Sequence, residues 1–307
     1  MKKQEEYPSQ VFVSLSDLLR MEGLSQGVSF LAKRQKVKSV LGGKHASKLR
    51  GRGMDFEEVR AYVPGDDIRN IDWKVTARTQ KTHSKVFSEE KEKPALIVVD
   101  QSRSMLFGSQ QKTKAAVAAE IAALAAFKIQ KEGDRVGGVV FAEESVDILY
   151  PKRNKKNILR FLERVVHHNR KLKDFREGNR QALLEETISK VNNIVTHDFL
   201  VILISDFVHY SEKVMRYLFK LSQHNDVMLI KVNDPMERDI PNEEMVFGNR
   251  KEQFTVKGNK QSIKGKFETG YDKDMDQFEA QMLRHHIPMI PLNTIDPIEQ
   301  QLKKVFR

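Results

Sequence analysis

Residues 95–100, "ALIVVD", and their continuation in "VVDQSRSMLFGS" at 98–109 decide the fold. A strand with one wet face alternates apolar and polar side chains, so an unbroken apolar run implies a strand covered on both faces. This run closes on Asp100, and Ser102 and Ser104 follow at alternate positions of the next loop. A second run, "FLVILISD" at 199–206, closes in the same way on Asp206. Outward from these two segments the signals alternate. A helix is expected at about 112–130, whose many alanines let it sit close to a sheet, followed by "RVGGVVFA" and its hairpin partner "SVDILYP". Helices at about 154–168 and 179–195 precede the second run. After it come a helix at 211–224, the strand "DVMLIKVND", a polar β-like excursion at 244–268, a helix at about 272–286, the strand "IPMIPLN" and a short terminal helix. Strand and helix in alternation specify an α/β fold with a doubly wound, mostly parallel sheet. No internal repeat at a fixed period is present.

Upstream the pattern differs. Leu15, Leu18, Leu19, Leu24, Val28 and Leu31 recur at helical spacing, with Ser16 available as a cap and with Gly23 and Gly27 dividing the stretch into two helices. Residues 51–94 read as strands around a Pro-Gly-Asp turn at 64–66. The expected division is therefore 1–93, an N-terminal helical and β-rich elaboration, and 94–307, the α/β domain.

The 307 residues, 39% of them hydrophobic, can fill a sizeable core, which excludes a disordered chain. The most apolar stretch, Ala115 to Ile129, is interrupted by Glu120 and Lys128, so it reads as a buried helix and no transmembrane segment is expected. "MKKQEEYPSQ" lacks the apolar core of a signal peptide, and a cytoplasmic location is the expectation. The absence of cysteine excludes disulfides and thiolate metal sites. The net charge of +11 is concentrated in two places: eight Lys or Arg and no acid lie between Gly23 and Met54, and a second basic run occupies 151–173. Aromatic residues for base stacking are almost absent from both, so solvated faces are favoured over a nucleic-acid surface, which stays as a rival.

In open parallel sheets the functional crevice lies beyond the carboxyl ends of the strands, where neighbouring connections leave to opposite faces. If the strands ending at Asp100 and Asp206 are neighbours, their acids converge there, with Ser102 and Ser104 on the intervening loop. Two carboxylates and two hydroxyls make an oxygen-only donor set, suited to a hard cation such as Mg2+ or Mn2+ rather than to zinc or copper. Such an ion, held by few anionic ligands, would keep a position open for a partner's carboxylate.

The pattern "DQSRS" after an apolar strand, with a second strand ending in "SD", resembles the metal-ion-dependent adhesion site of von Willebrand factor A domains. Three segments in order, "GRGMDFEEVRAYVPGDDIRNIDWKVTART", "VVDQSRSMLFG" and "GDRVGGVVF", are similar to the bacterial family called domain of unknown function 58, over roughly residues 40–210. That resemblance implies a von Willebrand A-like domain and association with MoxR-type AAA+ ATPases. The adhesion-site pattern also asks for a threonine on a second loop, where "EGNRQALLEE" offers Gly178 and Asn179 instead, and Thr187 lies about two turns inside the helix. Two alternatives follow: Asn179 substitutes through its amide oxygen, or the metal binds weakly or not at all.

Other motifs carry less. "GLSQG" at 23–27 fits a hydrolase nucleophile pattern, but Ser25 lies between helical segments rather than after a buried strand. "GGKH" at 42–45 lacks the first glycine and the Ser or Thr of a phosphate loop. The pairs His167–His168 and His285–His286 are adjacent in sequence, cannot face one metal from a helix, and read as surface histidines. Asp66, Asp67 and Asp72 lie among Arg60 and Arg69, an internal ion-pair network around a turn, with Trp73 expected to anchor the region. The preferred expectation is a non-enzymatic interaction module that presents a divalent cation to a partner, a MoxR-type ATPase or its client. Metal-dependent phosphoester hydrolysis and nucleic-acid binding are its rivals.

Overall fold

In a computed structural model, the strand read first, β3 (Ala95–Asp100), lies at the centre of a six-stranded sheet, with all six residues buried. The structure describes residues 8–25, 54–89, 93–143, 145–174, 180–208, 210–237, 244–248, 253–257 and 275–305. The other strands of the sheet are β4 (Val136–Ala142), β5 (Ser145–Lys152), β6 (Leu200–Ser205), β7 (Asp226–Asn233) and β10 (Met289–Asn293). Their order is β10-β7-β6-β3-β4-β5, parallel except for β5, which returns antiparallel against β4 as the hairpin expected.

Helices cover both faces. Ala95, Ile97 and Val99 of β3 share one apolar cluster with α1 (Leu15–Leu24), α3 (Lys114–Lys131), α4 (Lys155–Lys171) and α8 (Ile298–Val305). Leu96 and Val98 point the other way, toward α5 (Arg180–Ile194), α6 (Glu212–Ser222) and α7 (275–284). The connection leaving β3 thus packs on one face and that leaving β6 on the other, so the crevice between these neighbours is the switch point of the sheet. Alanine makes the close approach of α3 possible, and Gly138 does the same for α4: a Cβ there would lie 2.1 Å from Cδ2 of Phe161.

The packing divides the chain differently from the boundary expected at 93/94. One unit comprises Met1–Lys33 with Lys93–Arg307, the other Arg34–Glu92. The reason is α1, whose Leu18 is buried in the cluster around α3. Its cap is Ser14, in a reciprocal box with Asp17, and not Ser16, which lies inside the helix together with Gly23. The second helix expected after Gly27, like most of the first basic stretch, lies outside the described residues.

In the smaller unit β1 (Met54–Ala61) pairs antiparallel with β2 (His83–Glu89). Between them Gly65 turns the chain at φ 107°, a 3-10 turn spans Ile68–Asn70, and α2 (Trp73–Thr79) follows, a helix the sequence reading missed. The acids here are occupied as expected: Asp66 pairs with Arg60 at 2.7 Å, Asp67 with Arg69 at 2.9 Å, and Asp72 caps α2. Trp73 is 70% exposed. β8 (Glu244–Gly248) and β9 (Gln253–Lys257) form a hairpin within the polar excursion. No described helix is long and apolar enough to cross a membrane.

Candidate metal centre at the strand ends

β3 and β6 are paired in register through Val99 and Ile204, so Asp100 and Ser205 come side by side at the carboxyl end of the sheet. Strand alternation then sorts the side chains: Asp100 and Ser205 lie on the same side, and Ser205 Oγ donates to Asp100 Oδ2 at 2.6 Å. One residue later Asp206 turns toward α3, where Lys114, the first residue of that helix, donates from Nζ to Asp206 Oδ2 at 2.8 Å. All three ionisable groups, Asp100, Asp206 and Lys114, are buried.

The loop between β3 and α3 closes on the acid that precedes it. The Ser102 amide donates to Asp100 Oδ1 at 2.8 Å, a turn in which aspartate mimics backbone and which fixes the alternate serines. Ser102 Oγ and Ser104 Oγ lie 3.3 Å apart. The Ser104 hydroxyl also supports the ionised form of Asp206. Beyond Asp206 the chain turns through Phe207 at φ 54°, a conformation costly for a bulky side chain, and its ring is fully buried near Phe278. Asp206 Oδ1 accepts the Val208 amide at 3.2 Å, which holds that turn.

The charges are unequal in their compensation. Burial, and then the charge of Asp206, push the Asp100 carboxyl up to about 7, against the hydrogen bonds from Ser102 and Ser205. Burial also works to raise Asp206, but the Lys114 ammonium overcomes it and holds that carboxyl below the usual carboxylate range. Lys114 donates as well to Glu237 Oε1, at the end of a 3-10 turn (Pro235–Glu237) that follows β7. Two carboxylates, Asp206 and Glu237, therefore share one ammonium, while Asp100 is held by Ser102 and Ser205.

Of the expected ligands, Asp100, Ser102, Ser104 and Asp206 meet in one crevice. Asn179 lies outside the described residues. Thr187 is buried in α5, and its hydroxyl has no hydrogen-bond partner among the described residues. No group of three or more His, Cys, Asp or Glu side chains placed for a metal occurs among the described residues. The donors brought together are two carboxylates and two hydroxyls, and their chemistry fits a hard cation. Adjacent oxygens of an octahedral Mg2+ shell are about 3.0 Å apart, close to the separation of the two serine hydroxyls.

Lys114, Glu237 and Ser205 escaped the sequence reading. A lysine opening an alanine-rich helix, where the helix dipole disfavours a cation, was the one available signal. The expectation of surface histidines is corrected at His168, which is buried and lies 3.0 Å from Asp147, while its neighbour His167 is exposed. Ser25 is no nucleophile: its hydroxyl is buried at the end of α1, donating to the Glu22 carbonyl at 2.7 Å and accepting from Lys131.

A family model described as "Protein of unknown function DUF58" matches residues 58–277. Uncharacterized proteins of Mycobacterium bovis and Mycobacterium tuberculosis are 29% identical over 211 residues, 69% of this chain, and the chain spans 65% of their length. Among solved structures, the conserved hypothetical protein BatB from Bacteroides thetaiotaomicron is similar, with a TM-score of 0.42 and 15% identity over 68% of this chain and 95% of that one. An aerotolerance-related membrane protein from Bacteroides fragilis gives a TM-score of 0.43 and 15% identity over 69% of this chain and 95% of that one.

Proposed function

The chain belongs to the DUF58 family, and on that footing we propose that it is a von Willebrand A-like interaction module whose strand-end crevice presents a divalent cation, Mg2+ or Mn2+, to an acidic side chain of a partner protein. The observation that carries this reading is the placement of Asp100 and Asp206 at the carboxyl ends of paired strands, with the two serine hydroxyls of one loop 3.3 Å apart beside them. Ser102 and Ser104 would supply neutral oxygens, and Asp100 and Asp206 would supply the charge, directly or through water. A hard cation bound there supplies Lewis acidity and a coordination position for an oxygen ligand. The chain's own part is to hold the donors rigid: Asp100 through Ser205 and the Ser102 amide, Asp206 through the Val208 amide.

The surplus of carboxylate over ammonium in a buried site supports the same reading, because an uncompensated buried charge is costly and a divalent ion relieves it. The partner we assign is a MoxR-type AAA+ ATPase or its client, the association that the family resemblance implies, met in the cytoplasm. Recovery of that ATPase on immobilised full-length chain is the test. Asp100→Ala and chelation by EDTA should each reduce recovery at least about tenfold, a loss of about 1.4 kcal/mol. Equal recovery under both conditions would sink metal bridging.

A further inference from the structure

Lys114 is the least expected residue of the crevice. Its side chain is 2% exposed, and two of the three donors of its ammonium are taken by carboxylates on different elements: Asp206 after β6 and Glu237 after β7. The two acids differ in setting. Asp206 is as buried as the lysine, whereas the Glu237 side chain is 20% exposed and stands at the rim. Glu237 is itself held in place, since its Oε2 accepts the Asp234 amide at 3.1 Å. Asp234 in turn accepts the Ser109 amide at 2.8 Å and the Thr294 hydroxyl at 2.5 Å, which ties the turn after β7 to the loop that carries the serines.

A divalent ion at Asp206 and an ammonium 2.8 Å from the same carboxylate oxygen repel each other. The ammonium already holds a second anchored carboxylate, so release of Asp206 leaves it paired with Glu237 and breaks no backbone structure. Resting on the metal reading above, we propose that Lys114 is the resident cation of this crevice: it bridges Asp206 and Glu237 when no metal is bound and keeps Glu237 alone when a divalent ion takes its place at Asp206. Lys114 thereby weakens metal binding, and Glu237 offsets that weakening. It also follows that the site stays partly neutralised without metal, so the crevice survives folding in either state.

The experiment is a titration of the full chain with Mn2+, followed by calorimetry and by the electron paramagnetic resonance of free Mn2+, on wild type, Lys114→Met and Glu237→Gln. Folding of each is checked by circular dichroism. Lys114→Met should bind about tenfold tighter and Glu237→Gln about tenfold weaker, each a shift of about 1.4 kcal/mol in opposite directions. Wild-type binding left unchanged by both substitutions would overturn the role of Lys114 while leaving the metal reading intact. Absence of binding in wild type and Lys114→Met alike would overturn the metal reading and this inference with it. Should Lys114→Met fail to fold, Glu237→Gln decides: weaker binding supports the exchange, and equal or tighter binding overturns it.

Discussion

Asn169 Nδ2 donates to Gln101 Oε1 at 2.9 Å across 68 residues of chain, and neither residue is exposed. Both amides are used at their other ends. Gln101 Nε2 donates to the Ala115 carbonyl at 3.1 Å, and Asn169 Oδ1 accepts the Val13 amide at 2.8 Å. A buried, paired chain of amides thus runs from the segment before α1, through α4, to the loop that bears Ser102 and Ser104. The serine loop is held by the core and does not drift as a surface loop would.

Replacing Asn169 with Leu leaves the Val13 amide and Gln101 Oε1 without partners. Each stranded buried group costs about 1–3 kcal/mol, so a loss of about 2–6 kcal/mol is expected in urea unfolding. Mn2+ binding should weaken in parallel, because the loop loses its inner anchor.

Thr187 gives the opposite sign. Its hydroxyl is buried and unpartnered among the described residues, so Thr187→Val should stabilise by about 1 kcal/mol in the same assay. Mn2+ affinity should not change. A loss of affinity would place Thr187 among the ligands.

Gly138→Ala probes the packing of α4 on the sheet. The added methyl would lie 2.1 Å from Cδ2 and 2.3 Å from Cε2 of Phe161. Overpacking of this kind costs about 1–3 kcal/mol. Pairing the change with Phe161→Leu should recover part of that loss in thermal unfolding.

The buried His168 sets a pH dependence. It faces Asp147 on β5, an acid that Arg164 of α4 also approaches at 4.0 Å, with His167 and Lys171 beside it on its own helix. Burial lowers its pKa below the ordinary 6.5, and the hydrogen bond to Asp147 opposes this only in part. The unfolded chain therefore takes up the proton first. The contribution of His168 is complete above pH 6.5 and is lost as the pH falls toward the lower folded value. Unfolding free energies measured from pH 7.5 down to about 5 should fall less steeply in His168→Gln than in wild type.

What the sequence made legible was local. Apolar runs ending on Asp100 and Asp206 mark strands and their carboxyl ends, and alternation with helices implies the doubly wound order, so the meeting of these acids with Ser102 and Ser104 could be anticipated. Partnerships set by register or by the crossing of distant elements could not. Ser205 matters because Val99 pairs with Ile204, and Lys114 matters because the first turn of α3 begins beneath the end of β6. Neither relationship leaves a periodic trace in the chain. Burial is a further case: His168 reads as one of a surface pair and is buried. The cap of α1 is two residues from the one expected because Ser14 and Ser16 flank Leu15, the first residue of the apolar pattern, and only the bond to the Asp17 amide chooses between them.

The central claim is that the crevice between β3 and β6 binds a divalent cation through Asp100. Titration of the full chain and of Asp100→Ala with Mn2+ in a calorimeter tests it most directly. One ion per wild-type chain, with binding lost in Asp100→Ala, is the expected result. No binding by wild type, or equal binding by both proteins, would contradict it.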